Sequence, residues 1–344
     1  MFRRLFASLA SIASFTFVAA TAVAADELAP ASEPAPVYGA ELEGFDYPAP
    51  VQRFRFESQR QALQMAYLDM RPEKPNGRTV VLLHGKNFCA ATWEDTMRVL
   101  QAQGYRVVVP DQVGFCKSTK PAAYQYSFQQ LAHNTAALLD ALGVGRFIVV
   151  GHSTGGMLAT RMALMFPQRV EQLVMVNPIG LEDWKAEGVP SLTVDQWLAR
   201  ERQVTAERIR NYQRSNYYVG EWRPDYERWV QMLAGMYRGP GREPVMWSSA
   251  LLYDMIYTQP VVHEFGRVSV PTLLLVGEKD SSAIGREFST PDVKARLGDY
   301  PKLARRAAAA IPGATLVLFP ELGHAPQMQD PQRFHRALLD GLRR

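Results

Sequence analysis

Phe147-Ile148-Val149-Val150-Gly151-His152-Ser153-Thr154-Gly155-Gly156 decides the reading of this chain. Phe147–Val150 is a short apolar run of the kind that forms a buried strand, and Thr154–Phe166, stopped by Pro167, has a helical pattern. Between them stands Gly151-x-Ser153-x-Gly155. A chain that leaves a strand and enters a helix this sharply brings backbones close together, so small residues are needed on both sides of the serine. Gly156 adds room for packing. The turn strains Ser153, lifts its Oγ clear of the sheet and aims the next backbone N–H groups at the same space. Ser153 is therefore the candidate nucleophile.

Working outward, similar runs recur at Thr79–Leu83, Arg106–Val109, Gln172–Val176, Thr272–Val276 and Thr315–Phe319. Uninterrupted apolar runs mark strands covered on both faces. Helical stretches lie between them: Trp93–Gln103 before Gly104, Ser127–Leu142 before Gly143, and Pro331–Leu342 at the end. Alternating strands and helices predict an α/β class with a doubly wound, mostly parallel sheet. Gln52–Glu57 and Leu63–Asp69 read as an opening hairpin. The core is expected over 51–180 and 267–344.

Residues 181–266 break the rhythm. They have no convincing strand and carry five of the six tryptophans (Trp184, Trp197, Trp222, Trp229 and Trp247) with seven tyrosines. This is expected to be an inserted helical lid, its aromatics mostly its own core and a minority facing the cleft. Ser281–Leu303 is longer than a simple link and is expected to be a surface excursion near the active-site face.

A serine hydroxyl needs a base within reach. Of six histidines, His324 in Gly323-His324-Ala325-Pro326 directly follows the last strand, on the face where the serine is presented. His133 and His335 fall inside helices, His263 at the lid boundary and His84 at a strand end. His152 is expected to be locked in the turn, pointing away. The base needs a carboxylate to fix its tautomer. Asp280, closing Gly277-Glu278-Lys279-Asp280 after a strand, is the candidate, with Glu278 and Glu182 or Asp183 as alternatives. Thr154 N–H and an N–H of the His84-Gly85-Lys86-Asn87 loop, from Lys86 or Asn87, are the candidate oxyanion donors. The Lys86 side chain is either substrate-facing or solvated.

These segments, with Asp111-Gln112-Val113-Gly114-Phe115-Cys116-Lys117-Ser118 and Gly323–Gln327, resemble the α/β-hydrolase superfamily. The likeness is to its bacterial esterase, haloperoxidase-like and carbon–carbon-bond hydrolase branches. It covers roughly Val51 onward and is weakest in the lid. The resemblance implies the α/β-hydrolase fold, a Ser153–His324–Asp280 triad in that family's chain order of Ser, Asp, His, and no cofactor. The Lys-Asn-Phe-Cys that follows His84-Gly85 departs from the commoner family sequences. Relatives that open epoxides or remove halogens use an aspartate nucleophile, which Ser153 argues against. In this fold the His84 loop and the Asp111–Ser118 loop lie side by side, so in an exported enzyme Cys89 and Cys116 could be bridged. The alternative is two buried thiols.

Export is expected from the N-terminus. Arg3 and Arg4 precede an uncharged apolar stretch, Leu5–Val23, and Ala22-Val23-Ala24 offers a cleavage site. A signal peptide over 1–25 and a flexible lead-in over 26–50, rich in Ala, Pro and Glu, follow from this. The alternative is an uncleaved anchor. A periplasmic or secreted protein with no lasting membrane anchor is thus expected. The net charge of +4 is spread without a long basic block, which gives a nucleic-acid partner no electrostatic support. No metal-ligand spacing or dinucleotide loop is present.

The sequence is therefore expected to encode a hydrolase acting on small-molecule carboxylic esters, with an apolar or aromatic substrate suggested by the lid. The alternatives are a carbon–carbon-bond hydrolase, an iminopeptidase-type peptidase and a non-catalytic receptor of this fold.

Overall fold

The computed structural model describes residues 34–342. The expected signal peptide and the first part of the lead-in lie outside the described residues. Eight strands form one sheet: β1 (Gln52–Ser58), β2 (Gln61–Met70), β3 (Thr79–Leu83), β4 (Arg106–Pro110), β5 (Phe147–His152), β6 (Val170–Val176), β7 (Thr272–Gly277) and β8 (Thr315–Phe319). Their spatial order is β1-β2-β4-β3-β5-β6-β7-β8. The β1–β2 hairpin is antiparallel and β2 also meets β4 antiparallel. From β4 to β8 every pairing is parallel.

Each inner strand serves two cores, because successive side chains point to opposite faces. Val80, Leu82, Ile148, Val150, Leu273 and Leu275 pack with Trp93, Met97, Phe334 and Leu338, beneath helices α1 (Glu94–Ala102) and α10 (Pro331–Leu342). Val81, Leu83, Val149, Leu173, Leu274 and Val276 belong to the opposite core. Helices α2 (Phe128–Ala141), α3 (Thr154–Met165) and α9 (Tyr300–Ala310) cover that side. This two-sided burial is what produced the unbroken apolar runs. The strand order reverses direction between β3 and β5, and the loops after these two strands meet at the crevice this creates.

Between β6 and β7 the chain makes helices α4 (Val194–Glu201), α5 (Ala206–Tyr212), α6 (Glu227–Arg238) and α7 (Arg242–Thr258), with no strand among the described residues. Thr193 and Gln196 form a reciprocal cap on α4, and Thr205 caps α5. Directly after α5, Gln213–Tyr217 forms a π turn. Between β7 and β8, the excursion over 281–303 includes the short α8 (Pro291–Arg296) and runs into α9. It is more than surface, since Val293, Leu297 and Tyr300 are buried.

The expected flexible lead-in is corrected for its described part. Tyr38 N–H donates to Gly235 O of α6 at 3.0 Å. Leu42 is fully buried, and Phe45 stands edge-on to both Tyr38 and Tyr47. Tyr47 Oη donates to the buried Asp111 carboxylate at 2.6 Å. Four large apolar or aromatic anchors outweigh the Ala/Pro/Glu composition, and the segment straps the insertion to the core.

Candidate active site

Ser153 sits at φ 57° and ψ −121°, a left-handed conformation that a non-glycine residue holds only when its surroundings impose it. The surroundings are visible at Gly151, where a Cβ would come within 2.0 Å of Gly155 O. Ser153 N–H donates to Val176 O on β6, while Ser153 O accepts from Gly156 N–H. Thr154 opens α3, so its N–H lies where a helix has no internal acceptor.

The loop after β3 reaches this turn because residue 85 lacks a side chain: a Cβ on Gly85 would lie 3.0 Å from Ser153 Cβ. Phe88 N–H closes a turn on Gly85 O at 3.1 Å. That leaves Lys86 and Asn87 as the central residues of the turn, beside Ser153. Asn87 Nδ2 donates to Tyr217 Oη at 3.1 Å. Lys86 is half-buried rather than solvated. Its ammonium donates to Ser249 Oγ at 2.7 Å and lies 3.6 Å above the centre of the Tyr253 ring. Burial holds its pKa below the usual lysine value, with Glu201 opposing that shift.

His324 Nδ1 and Asp280 Oδ2 are 2.6 Å apart, both side chains buried. A carboxylate can only accept, so the proton is on Nδ1 and Nε2 keeps a lone pair. Ser153, Thr154, Lys86, Asn87 and His324 line one small cavity with Tyr212, Tyr217 and Tyr253. The alternatives to Asp280 are committed elsewhere. Glu278 pairs with Arg305, Asp183 with His263, and Glu182 accepts from Gly298 N–H. Burial raises Glu182 to about 7.

Four residues to which sequence reasoning gave no supporting role hold this group. Asn177 Nδ2 donates to Asp280 Oδ2 at 2.9 Å, and its Oδ1 accepts from Gly277 N–H at 2.9 Å. Asn216 O, in the π turn, accepts from His324 N–H at 3.0 Å. The Tyr217 ring lies 4.9 Å from the His324 ring. His152 does not simply point away. Its Nε2–H donates to His324 O at 2.7 Å, because a buried imidazole beside a carbonyl is best satisfied as the donor. Burial, above all, holds its pKa well below the usual value. None of the four carried a signal in the sequence; the π turn, visible only in the structure, is of a kind that collects at functional sites.

Of the other histidines, His84 Nε2 accepts from Gln112 N–H. His133 is exposed, and His335 Nε2 meets Thr96 Oγ1 at 3.0 Å.

Cys89 and Cys116 form a disulfide, with Cα atoms 5.9 Å apart. Asp111 lies beside both sulfurs. Its oxygens already accept from Tyr47 Oη, Ala90 N–H and Lys117 N–H. The bridge ties the segment just after Gly85–Phe88 to the loop following β4.

The small cavity shares Tyr212, Tyr253 and Ser282–Ile284 with a larger vestibule of about 850 Å³. Trp197, Arg200, Glu201, Arg208, Arg286 and Lys294 are among its walls. Burial raises the pKa of Tyr217 and Tyr253, so both present O–H groups. The wall around Ser153 is thus richer in hydroxyl, amide and ammonium groups than the aromatic content of the insertion predicts. Trp184, for example, is fully buried.

A family model for the alpha/beta hydrolase fold matches residues 78–331. A crystal structure described as a "probable hydrolytic enzyme" from Pseudomonas aeruginosa PAO1 is 65% identical, covers 90% of this chain and 99% of its own, and superposes with a TM-score of 0.89. The 2-hydroxy-6-oxo-2,4-heptadienoate hydrolase of Pseudomonas putida is 26% identical over 77% of this chain and 89% of its own length. The pimeloyl-[acyl-carrier protein] methyl ester esterase of Nitrosomonas europaea is 29% identical over 75% of this chain and 93% of its own. With the Ser153 turn, the parallel sheet and the family match in agreement, the chain belongs to the α/β-hydrolase fold family and is a hydrolase of that fold.

Proposed function

We propose that this protein hydrolyses carboxylic esters through Ser153, His324 and Asp280. The observation that carries the proposal is the Asp280–His324 hydrogen bond, which leaves the His324 Nε2 lone pair on the cavity that Ser153 also lines. His324 Nε2 takes the Ser153 proton as Oγ attacks the carbonyl carbon. The N–H groups of Thr154 and of Lys86 or Asn87 hold the oxyanion. His324 then protonates the leaving alcohol. Water, deprotonated by His324, attacks the acyl-enzyme and regenerates Ser153. Asp280 stabilises the imidazolium throughout.

A second reading, hydrolysis of a carbon–carbon bond next to a ketone, is favoured by the polar wall of Lys86, Asn87 and three tyrosines. A peptidase reading fares worse. Glu187 pairs with Arg296, Glu227 with Arg210 and Glu201 with the Tyr237 hydroxyl, which leaves few acidic groups to hold a substrate amine. The helical insertion is read as a lid over the cleft. Export to the periplasm or medium is supported by the Cys89–Cys116 bridge, which an oxidising compartment maintains. The N-terminal residue of the mature protein tests this.

The central test is turnover of p-nitrophenyl esters from acetate to octanoate by the mature protein and by Ser153→Ala, beside a vinylogous diketo acid. Ester turnover lost in the variant supports the esterase. Diketo acid cleavage alone supports the second reading. Loss of neither activity in Ser153→Ala removes the proposed mechanism.

A further inference from the structure

The vestibule outside the Ser153 cavity is large enough for a small-molecule ligand, and its charges are unbalanced. Arg200, Arg208, Arg286 and Lys294 line it against only two carboxylates, Glu201 and Glu287. Both carboxylates are engaged. Glu287 pairs with Arg200 at 2.7 Å, and buried Glu201 accepts from the Tyr237 hydroxyl.

Arg208, Arg286 and Lys294 enter no ion pair among the described residues. Arg208 donates to Gln203 Oε1 at 3.2 Å and Arg286 to Ser281 O at 2.9 Å. Neutral acceptors leave both guanidinium charges uncompensated. On the nucleophile's side of the shared wall, Lys86 likewise rests on a hydroxyl and an aromatic face rather than on a carboxylate. Cations therefore follow the passage from Lys86, past Tyr253, to the outer wall. Walls of low polarizability concentrate such a field in the cavity between them.

We propose that the vestibule is a receptor for an anionic end of the substrate, a carboxylate or phosphate distal to the bond cleaved, held by Arg208, Arg286 and Lys294. This rests on the hydrolase reading of Ser153. Arginine forks match either oxyanion, and Lys294 contributes a mobile point charge. The substrate class that follows is an acyl compound with a neutral scissile end and a negative tail, rather than an apolar or aromatic ester.

The test compares kcat/KM for p-nitrophenyl hydrogen suberate with that for its neutral methyl ester, and with the phosphonate of equal chain length. Wild type is expected to prefer the anionic esters by about tenfold at low ionic strength, the preference shrinking as salt is raised to about 0.5 M. Arg208→Glu/Lys294→Glu should bring that ratio close to one, and Arg208→Gln/Lys294→Gln should fall between. Reading a ratio within each variant removes any general loss of activity. Preference for only one of the two anions identifies the group. Equal turnover of charged and neutral esters by wild type overturns the receptor while leaving the hydrolase intact. If no ester is turned over, the esterase reading fails while the carbon–carbon reading stands, and binding of suberate itself is then measured by calorimetry. Binding lost in Arg208→Glu/Lys294→Glu upholds the receptor, and no binding to wild type overturns it.

Discussion

Replacing Asn177 should separate the support of Asp280 from the chemistry itself. Asn177 is fully buried and lies at φ 36°, a conformation that asparagine accepts more readily than most residues. One side chain serves two groups: its amide donates to Asp280 Oδ2, and its carbonyl accepts from Gly277 N–H. Asn177→Ala removes a hydrogen bond to a charged group, worth about 1.5–3 kcal/mol, and strands a buried amide at a cost of about 1–3 kcal/mol. Because both losses come from one site they overlap, and a destabilisation of about 2–4 kcal/mol is expected from urea unfolding. Asp280 then loses a partner on the same oxygen that orients His324. A fall in kcat of about 10–100-fold should follow, corresponding to about 1.4–2.8 kcal/mol of lost transition-state stabilisation, with KM little changed. Asn177→Asp is the decisive companion. It keeps the shape and the acceptor for Gly277 but sets a second carboxylate against Asp280. It should lose at least as much kcat as Asn177→Ala, and the buried carboxylate pair should lower the urea midpoint at least as far. Wild-type kcat in Asn177→Asp would refute the idea that this amide positions Asp280.

Three further outcomes are expected. Gly85→Ala places a methyl 3.0 Å from Ser153 Cβ and pushes the Lys86–Asn87 turn outward, so kcat should fall on the order of 10²-fold; unchanged ester turnover would remove this loop from the oxyanion site. Breaking the Cys89–Cys116 bridge, which spans 27 residues, should cost roughly 3–4 kcal/mol by loop entropy, read as a lower urea midpoint in dithiothreitol; an unchanged midpoint counts against the bridge as a stabilising link. His84, His152 and His335 all have folded-state pKa values lowered mainly by burial. The unfolded chain therefore binds more protons below about pH 6.5, and stability should fall by up to about 1.4 kcal/mol per histidine for each further pH unit. A flat melting temperature between about pH 7.5 and pH 5.5 would contradict this.

What was legible in the sequence was whatever a few neighbouring residues decide. β3, β5 and β7 are apolar through their centres because both faces are covered, so the runs Thr79–Leu83, Phe147–Val150 and Thr272–Val276 end within two residues of the observed strands. The Ser153 turn is likewise local, since its glycines answer to clashes within the same turn. Asn177 was invisible for the opposite reason: its partner Asp280 is 103 residues away. His152 was misread because its acceptor, His324 O, is 172 residues distant. The lead-in was misread because composition averages over Leu42, Phe45 and Tyr47, whereas packing depends on just those side chains.

The insertion shows why substrate preference resists the same reading. Its aromatics are dense in the sequence, but Tyr218 stacks on Tyr226 at 3.6 Å and Trp197 on Tyr253 at 4.7 Å, so much of that surface is spent inside the insertion. The groups left to the cavity are Tyr212, Tyr217 and Tyr253 and the cations beside them, a pattern that no helical periodicity announces. The insertion also reaches the reaction itself. Asn216 O holds His324 N–H, and Tyr217 takes the Asn87 amide. An outward swing of the π turn would break both contacts and release the base and the oxyanion loop together. On the proposed mechanism, alignment of the base therefore depends on the turn at 213–217, and because Asn216 also lines the vestibule, a ligand held there would touch the same turn.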